Sequence, residues 1–114
     1  MMRILYWNFQ GMANPITLSY LKLIVSKYKP AIIGISDPKS NSFNYGSPLF
    51  RSGYSLLSSV QDASGLDRLC LLVHHIVNNP TIVRVNDQII TCSFLNAGQL
   101  SFCSMVNAFN CYIK

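Results

Sequence analysis

The chain has 114 residues, enough for one domain, and a fold of this size hides only about two thirds of its unfolded surface. Half of the residues are hydrophobic and 11% are charged, with no glutamate and a net charge of +5. No apolar run reaches the ~18 residues of a membrane span and no signal peptide opens the chain, so an intracellular location without a membrane partner is expected.

The shortage of charge predicts more apolar surface than one small domain can hide, and so a missing partner or missing chain. The basic balance is compatible with a polyanionic partner. Its cations are scattered, and only Lys22, Lys27 and Lys29 approach a cluster, on what reads as the solvated side of a helix. Four cysteines stand at positions 70, 92, 103 and 111 without C-x-x-C spacing, and three of them fall in apolar runs. Buried free thiols are expected there rather than a zinc site.

In chain order, Arg3-Ile4-Leu5-Tyr6-Trp7 is a β-favouring run with apolar residues on both faces. It stops in the polar turn Asn8-Phe9-Gln10-Gly11. In an α/β protein ligands are met at that carboxyl end of a strand. Asn14-Pro15 starts a helix, with Asn as the N-cap and Pro where an N–H is dispensable. Leu18, Leu21, Val25 and Tyr28 recur at helical spacing from Ile16 to Lys27, and Leu23 and Ile24 widen the face, which predicts a deeply packed helix. Pro30 ends it. Ala31 to Ile35 then reads as a buried strand, which closes a βαβ unit with two parallel strands. Ser36-Asp37-Pro38-Lys39 ends the second strand as Asn8 ends the first, so Asn8 and Asp37 could face one site.

A polar loop is predicted from Ser40 to about Ser52. Strands follow over Tyr54–Val60, Arg68–Val73, Thr81–Val85, Gln88–Leu95 and Leu100–Val106, with a tight turn at Asn86-Asp87. Asn107 to Lys114 reads as a loop. His74-His75 reads as a strand-end pair without a role, and Trp7 as core.

Taken together, several of these stretches resemble one family. They are Met2-Arg3-Ile4-Leu5, Trp7-Asn8, Gln10-Gly11, Asn14-Pro15, Lys29-Pro30, Ser36-Asp37-Pro38-Lys39, Leu69 to Val73 and Val106 to Lys114. The family is the endonuclease/exonuclease/phosphatase superfamily, in the form of the endonuclease domain of plant LINE-type (non-LTR) retrotransposons. The likeness runs over nearly the whole chain but over only the amino-terminal half of that domain. It implies an α/β fold of the α+β sandwich type, half of a four-layer αββα sandwich. In this chain that half would be one mixed, mostly antiparallel sheet with one major helix on one face. The inner sheet face would be bare, open to self-association or to a missing second half. The domain would be single and partial over 1–114, truncated before the carboxyl-terminal catalytic motifs.

The resemblance also implies roles for single residues. Asn8 matches an Asn that orients the phosphate and the metal-binding carboxylates. Asp37 stands where the family has a Glu metal ligand; it keeps the hard oxygen that Mg²⁺ prefers, one methylene shorter. Asn107 stands where the family has an active-site Tyr, and lacks the phenol. The Gly-Asp-Phe-Asn and Ser-Asp-His motifs that complete the site lie beyond this length. Read without the family, Asn8 is a polar strand terminator, Asp37 a turn residue before Pro38 and Asn107 a structural residue. The resulting expectation is a degenerate, catalytically inactive fragment of a Mg-dependent DNA endonuclease. The alternatives are a nuclease completed by a second chain and a small binding module for nucleic acid or protein.

Overall fold

A computed structural model describes residues 2–8, 15–38 and 48–106. The elements are β1 (Ile4–Asn8), α1 (Pro15–Tyr28), β2 (Ile32–Ser36), β3 (Tyr54–Gln61), β4 (Asp67–His74), β5 (Asn78–Val85), β6 (Ile89–Asn96) and β7 (Gln99–Val106). β1 and β2 run parallel, joined through α1, as the βαβ pattern predicts. The N-cap position Asn14 lies outside the described residues. At its other end α1 stops where Lys29 takes a left-handed backbone (φ 48°) ahead of Pro30, while its N–H still reaches the Val25 carbonyl at 2.8 Å. That is a helix end made without glycine.

The packing of α1 is shallower than its sequence suggests. Leu21 and Val25 are buried, but Leu23 is 62% exposed and Tyr28 is also exposed. The helical step of about 100° per residue puts Leu23 some 200° round from Leu21, so the two cannot share a face. The polar loop expected up to Ser52 also needs correcting. Residues 39–47 lie outside the described residues, 48–51 form a helical turn, and Leu49 is a core residue 2% exposed.

The α+β sandwich class holds, with two sheets where the sequence suggested one. A four-stranded sheet has the order β1-β2-β4-β3 and a three-stranded sheet the order β5-β6-β7. In the first sheet β1 and β2 are parallel and the other pairs antiparallel; the second is antiparallel throughout. Every residue of β2 is buried, because the strand is packed on both faces. Ile33 and Ile35 face the helix, with Leu21, Val25, Leu49, Tyr54, Cys70 and Leu72 around them. Ile32 faces the other way, onto Ile90, Cys92, Phe94, Cys103 and Met105 of the second sheet.

The expected bare inner face is therefore covered, by the chain's own β5–β7. The alternation Ile90, Cys92, Phe94 against Thr91 and Ser93 gives β6 one apolar side, and that side is buried on β4. Gly34 faces the second sheet. A Cβ added there would overlap the Met105 side chain, so β2 and β7 meet only because that side chain is absent.

The connections keep to turn chemistry. Asp62 Oδ1 accepts from Ser64 N at 2.9 Å, Ser64 Oγ at 2.7 Å and Leu66 N at 3.1 Å. The Ser64 hydroxyl first, then these amides, holds the Asp62 carboxyl below its usual range. Between β5 and β6, Asn86 Oδ1 accepts from Gln88 N and Ile89 N. Between β6 and β7, Ala97 and Gly98 are both left-handed (φ 52° and 79°), the pairing a two-residue type I′ hairpin demands.

Candidate functional site

The parallel pair brings the carboxyl ends of β1 and β2 side by side. Asn8 is the last residue of β1 and is in register with Ser36, the last of β2. Asp37 follows directly, and its N–H donates to the Arg68 carbonyl at 2.7 Å. Asn8, Ser36, Asp37 and Arg68 thus lie in a row across one end of the four-stranded sheet. Asn8 is exposed, Asp37 half-buried and Ser36 fully buried.

The end of β7 comes to the same place. Tyr6 Oη donates to Ser36 Oγ at 2.8 Å and lies 3.1 Å from the Val106 carbonyl. Asn107 itself lies outside the described residues. Neither Tyr6 nor Arg68 stands out in the sequence, where Tyr6 reads as one more apolar strand residue and Arg68 as a scattered cation. The one available signal is that Tyr6 shares strand parity with Asn8.

Asp37 has a left-handed backbone (φ 54°). Asp and Asn adopt that conformation several-fold more readily than other non-glycine residues. The geometry therefore supplies a backbone reason for Asp at this position, alongside any ligand role. Among the described residues no three His, Cys, Asp or Glu side chains are grouped to hold a metal ion. One carboxylate and one amide fall short of the six oxygens Mg²⁺ demands.

The opposite end of β2 holds a cavity of about 510 Å³ lined by residues that include Lys22, Lys29, Leu49, Tyr54 and His74. Its histidine and tyrosine are engaged in structure. Tyr54 Oη donates to the Pro30 carbonyl, and its ring meets His74 edge-on at 4.9 Å. His74 Nδ1 accepts from Ile76 N at 3.3 Å. Desolvation, and then the neighbouring His75, push the His74 pKa down. Cys70, Cys92 and Cys103 are all buried, as their apolar settings predict, Cys92 and Cys103 as free thiols. Cys111 lies outside the described residues. No described helix is long and apolar enough to cross a membrane.

No protein-family model matches the chain, and no curated protein matches it. Solved structures do. The endonuclease domain of TRAS1, a telomere-specific non-LTR retrotransposon, is 16% identical with a TM-score of 0.66, over 93% of this chain and 45% of that one. The human Nocturnin catalytic domain, solved with a bound sulfate anion, is 16% identical with a TM-score of 0.61, over 90% of this chain and 48% of that one. The chain therefore has the endonuclease/exonuclease/phosphatase-type fold that its sequence resembles, over a little less than half the length of either neighbour.

Proposed function

We propose that the chain is the amino-terminal half of a retrotransposon-type DNA endonuclease domain, with relic site positions at Asn8 and Asp37 and no cleavage activity of its own. The observation that carries this reading is the row Asn8–Ser36–Asp37 at the carboxyl ends of the parallel pair, in a chain spanning under half of an endonuclease domain of the same fold. In the intact family domain Mg²⁺ would supply charge stabilisation for phosphodiester hydrolysis. Here the donor set does not fit tight binding of that ion, so no step is derived through it. What this chain's residues offer at these strand ends is a single hard oxygen at Asp37 and an amide at Asn8. DNA is the polyanion the family implies, and the +5 balance is suited to it. The buried thiols fit a reducing, intracellular setting.

The test is a plasmid-nicking assay with Mg²⁺, run beside DNA binding by fluorescence anisotropy at several salt concentrations. The expected result is no nicking, with weak binding that fades as salt rises. Nicking that disappears in Asp37→Asn would overturn the inactive reading and favour a competent nuclease. Tight, salt-dependent binding without nicking would favour the binding module.

A further inference from the structure

The two sheets are offset by one strand. β7 lies over β2, with Met105 seated against Gly34, while β6 packs on β4 and β5 on β3. On the inner face of the three-stranded sheet two cysteines stand directly opposite each other, Cys92 on β6 and Cys103 on β7. Both belong to the core between the sheets, and their thiols hydrogen-bond each other. Their burial differs. Cys92 is fully enclosed, whereas Cys103 is 8% exposed and lines a cavity of about 460 Å³ beside β1, together with Ile4, Tyr6 and Met105.

The hairpin fixes how near the two sulfurs come. Residues 97 and 98 are its two-residue loop, so Asn96 and Gln99 exchange the hydrogen bonds that close the turn. Along an antiparallel ladder hydrogen-bonded and non-hydrogen-bonded pairs alternate. Cys92 and Cys103 are four pairs on from the turn, which makes theirs a hydrogen-bonded pair again. Its Cα atoms lie about 5.5 Å apart, inside the range of roughly 4.4–6.8 Å that a disulfide spans. Its Cβ atoms, about 4.5–5.5 Å apart, stand beyond the roughly 3.8 Å of a relaxed disulfide. The strands must therefore draw together slightly to close the bond, and a bond made under such tension is readily reduced.

We infer that Cys92 and Cys103 form a peroxide-sensitive dithiol, in which Cys103 meets the oxidant and Cys92 closes the disulfide. Cys103 is the one of the two that lines a cavity. The hydrogen bond from Cys92 holds its thiol down at about 7, which raises the share of thiolate, the reactive form. The same hydrogen bond, and then burial, push the Cys92 thiol up, so it keeps its proton until its partner has reacted. The Cys103 thiolate attacks one oxygen of hydrogen peroxide. The O–O bond breaks, leaving a sulfenic acid on Cys103 and a hydroxide that takes up the proton Cys103 lost. The Cys92 sulfur then attacks the Cys103 sulfur and expels its hydroxyl group, which leaves as water with the Cys92 proton. Two thiols have given two electrons to one peroxide, and two waters have formed. A small thiol reopens the disulfide by exchange, so in a reducing compartment the closed form is transient. Both cysteines belong to one hairpin, so their pairing depends neither on what lies along the rest of the sandwich nor on the nuclease reading. Cys70 belongs to the core on the helix side of the first sheet.

The test treats the folded wild-type chain with hydrogen peroxide, blocks the remaining thiols under denaturing conditions, and reads the intact mass and the chymotryptic peptides. The expected product has lost two hydrogens, keeps two of its four thiols and joins the peptides that carry residues 92 and 103. Dithiothreitol should restore all four. Cys92→Ala leaves Cys103 without its partner and should give a dimedone adduct of the sulfenic acid at residue 103. Cys103→Ala should leave Cys92 a thiol. The wild-type chain carries the main reading, so the inference stays testable if a variant fails to fold. Four thiols unchanged by peroxide would overturn it. So would a link to Cys70 or Cys111, or a 92–103 link that forms only in urea. None of these outcomes alters the nicking result, so the two readings fail separately.

Discussion

The two ends of β2 use similar side-chain types for different ends. At its amino end, Tyr54 donates to Pro30, His74 N donates to the Ala31 carbonyl, Ala31 N to the Arg3 carbonyl, and His74 Nδ1 accepts from Ile76. Histidine and tyrosine, the groups a catalytic search looks for first, are consumed there in closing the fold. At its carboxyl end, the polar row Asn8–Ser36–Asp37 sits at the strand ends, steadied by Tyr6 through Ser36. Chemistry-bearing residue types therefore point to a site only after the backbone groups beside them have found their partners. A cavity of about 510 Å³ lies at the first end and the candidate site at the second, and the hydrogen bonds explain why volume alone misleads.

The largest effect is expected at the amino end. Tyr54→Phe leaves the buried Pro30 carbonyl without its donor and should cost about 1–3 kcal/mol of unfolding free energy, read from urea denaturation. A cost near zero would mean that this end is not the tightly bonded one. A smaller effect, of about 1 kcal/mol, is expected for Asp37→Glu, because a longer side chain loses the local bonding that eases a left-handed backbone. Asp37→Asn and Asp37→Gly should unfold at nearly the wild-type midpoint. If Asp37→Glu were as stable as wild type, the backbone would not be what selects Asp here, and the ligand reading would gain.

The smallest effect concerns pH. The folded pKa of His74 lies below its ordinary value, so the unfolded chain takes up the proton first. The His74 contribution is full above an unfolded pKa of about 6.5. It falls as the pH drops through that value and levels off below the folded pKa. Thermal melts between pH 7.5 and pH 5 should show this loss, and His74→Gln should flatten it. A melting temperature that rises on acidification would reverse the assignment.

Local pattern carried much of the fold. β1, α1, β2 and the turns at Asp62, Asn86 and Ala97-Gly98 follow from apolar spacing, proline and turn residues acting within a few positions of themselves. The candidate positions Asn8 and Asp37 were legible as polar stops on two apolar strands. Three features were not legible: Leu49 as a core residue, the exposure of Leu23, and the second sheet over the inner face. Spacing says that a strand has an apolar side, but not which other element covers it. The Tyr6 bridge was hidden for a related reason, since a tyrosine serves equally as strand filler and as hydrogen-bond donor.

By itself the sequence determined the strand–helix–strand opening, the class of the fold and its likeness to half of a larger domain. Those depend on side-chain period and on short-range backbone preference, which each residue carries with it. Only the tertiary structure decided that the strands form two layers, that these layers are offset by one strand, and that Asp37 sits in a left-handed turn beside Arg68. Those depend on which surfaces meet, here the inner faces of β2 and β4 on Ile90, Cys92, Phe94, Cys103 and Met105 of the second sheet, with Met105 seated against Gly34.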